Sequence, residues 1–156
     1  MQARTPADYA WITLRVVTGL WFAWLGAIKL FVHGPPAFAK QVAEFRILMD
    51  PWNLPVAYLV PWLELIAGLL LLGHFWPRGA VRVLGLLTLV FLFANAQALY
   101  LGFEPDCGCF GSAFKLGLVP KLWLIGAQFA ILTTILIGES RARRGVFAGR
   151  RMRLPG

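Results

Sequence analysis

Four apolar runs, residues 9–32, 56–74, 81–103 and 122–138, dominate this 156-residue chain and decide what it can fold into. Each is 17 to 24 residues long. As helices, runs of that length cross a ~30 Å hydrocarbon core with modest tilt. Hydrophobic residues make up 59% of the chain and charged residues 14%, more apolar surface than a soluble domain of this size can hide. The expected fold is an all-α membrane protein, a four-transmembrane-helix bundle with left-handed packing. The first run is longer than the apolar core of a signal peptide and carries Arg15 and Lys29. It also lacks a small-residue cleavage site, so it reads as a retained span.

The segments between the runs are short. Gly34-Pro35-Pro36 breaks the first helix. Phe38, Val42, Phe45 and Leu48 then recur at helical spacing, with Lys40, Gln41, Glu44 and Arg46 between them. That pattern predicts a short amphipathic helix at the interface, in the first outer loop. Pro61 and Glu64 interrupt the second run, and Pro77-Arg78-Gly79 reads as a tight connection to the third. The expected division is a terminal segment at 1–8, a membrane domain at 9–138 and a basic tail at 139–156.

Four spans put both termini on one side. That side carries Arg4, Arg78, Arg82 and six tail arginines, nine cations against four (Lys40, Arg46, Lys115, Lys121) on the other. The positive-inside rule then predicts cytoplasmic termini, with residues 104–120 facing outward. The net charge of +8 is concentrated in the tail, where it fits anionic lipid rather than nucleic acid.

The outward loop holds Asp106-Cys107-Gly108-Cys109-Phe110-Gly111 and both cysteines of the chain. Two extended residues span at most ~7 Å, and a disulfide needs its Cα atoms roughly 4.4–6.8 Å apart. A bridge closes only in a bent turn, which Gly108 permits. A bridge held in strain exchanges readily with other thiols, and disulfides persist on the oxidising side of the membrane. Asp106 opposes thiolate formation at Cys107, whereas Lys115 and Lys121 favour it. Three readings of Cys107 and Cys109 stay open: a redox pair, two inert small residues, or part of a copper or zinc site. The metal reading needs further ligands, and His33 is the histidine on the same predicted face.

A second constellation lies inside the spans, where ionisable side chains are costly and usually face a partner or a cavity. Lys29, Glu64, Asn95 and Gln128, one per helix, fall in the outer half beneath the cysteine loop. Lys29 can snorkel outward or reach down, and Arg15 sits nearer the termini. These groups either bridge helices or line a pocket. Beside Trp21, Trp24 and Phe91, such a pocket has the surroundings to accept a quinone ring. Trp52, Trp62, Trp76 and Trp123 fall near span boundaries, as interfacial anchors do.

Arg15, Gly19, Phe22, Gly26 and Lys29 in the first span, with Pro61, Glu64, Gly68 and Gly73 in the second, resemble the DoxX-like superfamily. Cys107-Gly108-Cys109-Phe110-Gly111, placed between the third and fourth spans, resembles its methylamine-utilisation branch, MauE. The resemblance covers about residues 9–138. It implies a four-helix inner-membrane protein that assists maturation of disulfide-rich exported proteins, with Cys107 and Cys109 exchanging disulfides. Other members of the superfamily imply quinone coupling. The implied partners are the lipid bilayer, an external redox partner or substrate protein, and other membrane-complex subunits. The rival expectation, from a different class, is a non-catalytic subunit that anchors or assembles a complex through the same loop.

Overall fold

A computed structural model describes residues 6–48, 51–102 and 117–151, with side chains described for 9–48, 51–102, 117 and 119–139. The loop bearing Cys107, Gly108, Cys109, Phe110 and Gly111 lies outside the described residues. The described elements are all helical: α1 (Pro6–Ala27), a π-helical segment (Ile28–Val32), α2 (Pro35–Glu44), α3 (Asn53–Gly73), α4 (Pro77–Tyr100) and α5 (Leu118–Arg151). Four stretches, Tyr9–Val32, Asn53–Gly73, Pro77–Tyr100 and Val119–Glu139, are long and apolar enough to cross a membrane. The protein is a multi-pass membrane protein built as a four-helix bundle.

Three boundaries differ from the sequence reading. Pro77 opens α4 as a first-turn residue instead of forming the connection, because its missing N–H costs nothing where no intrahelical partner exists. The turn is His74–Trp76, and His74 takes a left-handed conformation (φ 61°). Pro61 does not interrupt α3, which is continuous through it. The helix of α5 runs on past the fourth span to Arg151, so the basic tail begins as its continuation.

The short helix expected after the first span is present, but it ends at Glu44. Arg46, with φ 53°, turns the chain there, so Leu48 is not part of it. Gly34 sets its start, with φ 76°, a conformation only glycine adopts without strain.

The closest approach in the bundle is α1 against α3. A methyl group placed on Gly68 would lie 2.6 Å from the backbone nitrogen of Ala23, and one on Gly26 would lie 2.7 Å from the carbonyl oxygen of Pro61. Small residues at helical spacing let the two backbones touch, which is how spanning helices gain van der Waals packing in lipid. The apolar core fills the half of the bundle nearer the termini. It is built from Phe22, Ala67, Leu71, Ala80, Val81, Leu84, Leu132 and Ile135. Trp11 closes that end by laying its indole against Gly138.

Candidate functional site

The opposite half of the bundle holds a buried ion pair. Lys29 Nζ donates to both carboxylate oxygens of Glu64, at 2.8 and 2.7 Å. The two side chains are 4% and 3% exposed. The antiparallel arrangement of α1 and α3 explains the meeting. Helical side chains lean toward their own N-terminus, so Lys29, following α1, leans inward while Glu64 on α3 leans outward. Gly26 sits against Pro61 and Leu65 at the level of Glu64, which removes any bulk between them. The π-helical segment, closed by an N–H of His33 on the carbonyl of Ile28 at 3.0 Å, carries Lys29 itself. Such a turn inserts an extra residue and redirects side chains, often at functional sites.

Two aromatic rings flank the ammonium. The centroid of Phe38, on α2, lies 5.2 Å from Lys29 Nζ, and that of Phe91, on α4, lies 5.1 Å away. Both distances are within cation–π range. Phe38 is 2% exposed. The amphipathic helix thus covers the ion pair as well as lying across the end of the bundle.

A cavity of about 20 Å³ adjoins the pair, enough for one water molecule. Lys29, Glu64, Thr88, Phe91 and Gln128 contribute to its lining. The amide nitrogen of Gln128 is buried without a hydrogen-bond partner among the described residues. Thr88 donates its hydroxyl to the carbonyl of Leu84 at 2.8 Å. Asn95 is fully buried but does not line the cavity. Its amide donates to the carbonyl of Phe91 at 2.7 Å, and its side-chain oxygen has no partner among the described residues.

Three of the four intramembrane polar residues singled out from the sequence therefore converge: Lys29, Glu64 and Gln128. Arg15 does not join them. It pairs with Glu139 across α1 and α5 at 3.7 Å, near the termini, where Arg78 also donates to the backbone carbonyl of Glu139. Sequence reasoning missed Thr88 and the role of Phe38. Phe38 was visible as the first apolar residue of the amphipathic pattern, but nothing in that pattern says which cation it will meet.

The quinone expectation does not fit this site. A cavity near 150 Å³ is needed for a benzene-sized guest, several times the space beside Lys29. Trp21 and Trp24 are 46% and 62% exposed, on the outside of the bundle. A second cleft of about 170 Å³ lies beyond Phe38 and Phe91, but its described lining, which includes Val42, Val60, Val90 and Ala94, is apolar and offers a quinone oxygen no side-chain donor. As to metals, no group of three or more potential ligands occurs among the described residues.

No curated protein and no solved structure gives a significant match to the chain. A protein family does match, over residues 7–138, a stretch that contains the first three spans, all but the last residue of the fourth, the Lys29–Glu64 pair and both cysteines. Its residues Gly19, Gly26 and Gly68 form the α1–α3 contact, and Lys29 and Glu64 form the buried pair that the contact brings together. On the strength of that match across most of its length, the chain belongs to the family described as methylamine utilisation protein MauE.

Proposed function

We propose that this protein is a membrane thiol–disulfide exchange protein that helps mature exported proteins, with Cys107 and Cys109 as the exchanging pair. One observation carries the reading: the two cysteines of the chain stand one residue apart in the connection between α4 and α5. Family membership, which links the chain to methylamine utilisation, and the earlier resemblance to DoxX-like proteins support it. The charge asymmetry supports an outward loop and cytoplasmic termini in an inner membrane.

The chemistry balances without a bound cofactor. A thiolate of the substrate protein attacks one sulfur of the Cys107–Cys109 disulfide, forming a mixed disulfide and releasing the other thiolate. A second substrate thiolate then displaces the bound cysteine. The substrate leaves oxidised by two electrons, and Cys107 and Cys109 take up those electrons and two protons. A disulfide-bearing partner protein reoxidises the pair by the same exchange in reverse. Lys29 and Glu64 tie α1 to α3 at the end of the bundle from which the loop leaves, and Gln128 lines the polar cavity beside them. Among the loop residues, Gly108 allows the tight turn, with Phe110 and Gly111 completing the motif.

A second reading is a non-catalytic subunit that anchors or assembles a complex. The mutual satisfaction of Lys29 and Glu64 favours it, because the two charges at that end are already engaged with each other. The two separate on one experiment. Cys107→Ser, Cys109→Ser and the double variant are expressed at wild-type level, and the oxidised fraction of exported disulfide proteins is measured. An exchange protein loses function in all three, whereas a docking subunit keeps it in the double variant.

A further inference from the structure

On the side of the bundle away from α2, a groove of about 270 Å³ runs between α4 and α5. Its floor is Gly85, and a methyl group placed there would meet nothing within 4 Å. Leu86, Leu89, Phe129 and Leu132 contribute apolar walls, and Arg82 is the one ionisable side chain among the described residues of the lining. Thr133 also faces the groove but spends its hydroxyl on the carbonyl of Phe129. Arg82 stands five residues into α4, about 7.5 Å along the helix from the end bearing the termini. An exposed arginine at that depth snorkels toward the headgroups. From Arg82 to Leu89 the groove extends roughly 10 Å toward the bilayer centre.

We propose that this groove binds one anionic phospholipid, with its phosphate on Arg82 and an acyl chain lying over Gly85. Two features choose this occupant. The lining has the polarity gradient of a phospholipid, cationic at one end and hydrocarbon along the rest. Among the described residues of the lining the single charge is positive, with no carboxylate beside it, which complements an anionic headgroup. The inference rests on the fold alone and is independent of the cysteine chemistry.

The test is native mass spectrometry of the full chain, purified in mild detergent and equilibrated with equal amounts of phosphatidylglycerol and phosphatidylcholine. The wild type retains phosphatidylglycerol about fivefold more than phosphatidylcholine, the preference one cation near a headgroup confers. Arg82→Gln lowers that preference severalfold. Gly85→Leu, whose side chain enters open space, fills the groove and lowers retention of both lipids several-fold. Gly126→Leu is the control. Its added group also meets nothing within 4 Å, and Gly126 is outside the groove lining, so the wild-type pattern persists. Parity in the wild type, unchanged preference in Arg82→Gln, or full retention in Gly85→Leu would overturn the proposal. So would a dimer that Gly85→Leu dissolves without changing lipid retention, since a second copy of the chain would then be the occupant.

Discussion

Lys29–Glu64 and Arg15–Glu139 are both cation–carboxylate pairs between helices, but the bundle treats them differently. The first is bidentate at 2.7–2.8 Å and sealed by Phe38 and Phe91. The second is a single contact at 3.7 Å, with the Glu139 side chain 14% exposed and the arginine Nε without a partner among the described residues. Near the termini the guanidinium is buried as well, with its side chain 8% exposed, but it is long and meets its partner only loosely. At the other end, the compact ammonium and the carboxylate are each other's hydrogen-bond partners. Burial of that kind is costly to create and more costly to break. Loss of one partner of the Lys29–Glu64 pair is therefore the change that the α1–α3 contact tolerates least.

The largest expected effect comes from breaking that pair on one side. Glu64→Leu leaves the Lys29 ammonium buried and unpaired, and should destabilise the bundle by about 3–5 kcal/mol in a detergent-titrated unfolding experiment. Phe38→Leu keeps an apolar lid but removes one ring from the ammonium, for a loss of about 2 kcal/mol. Glu139→Gln keeps an amide oxygen beside Arg15 and should cost about 1–2 kcal/mol, less than breaking a bidentate buried pair. The double variant Lys29→Met with Glu64→Leu should return close to wild-type stability, because replacing both charges removes the desolvation cost along with the attraction. If Glu139→Gln proved more damaging than Glu64→Leu, the contrast drawn between the two ends would be wrong.

The spans were legible in the sequence because a bilayer core demands apolar runs of roughly 20 residues, and few other folds supply four of them. Lys29 and Glu64 were legible as site residues for the complementary reason: charges inside such runs are rare. Their pairing was not legible. It depends on the rotation of α1 against α3, fixed by Gly26 and Gly68, and on the π-helical turn at Ile28–Val32, which no local pattern announced. Trp21 and Trp24 were placed beside a pocket and instead face outward. In lipid the outside of a helix is as apolar as its inside, so hydrophobicity alone does not tell the two faces apart. Pro77 was misassigned because proline breaks a helix interior but suits its first turn.

The central claim is that Cys107 and Cys109 form an exchangeable disulfide on the outer face. Its most direct test is alkylation of intact cells with a membrane-impermeant thiol reagent, before and after mild reduction. Labelling of both cysteines only after reduction is the predicted result. Labelling without reduction, or labelling that appears only when the membrane is permeabilised, would contradict the claim. The first would show free thiols and the second an inverted topology.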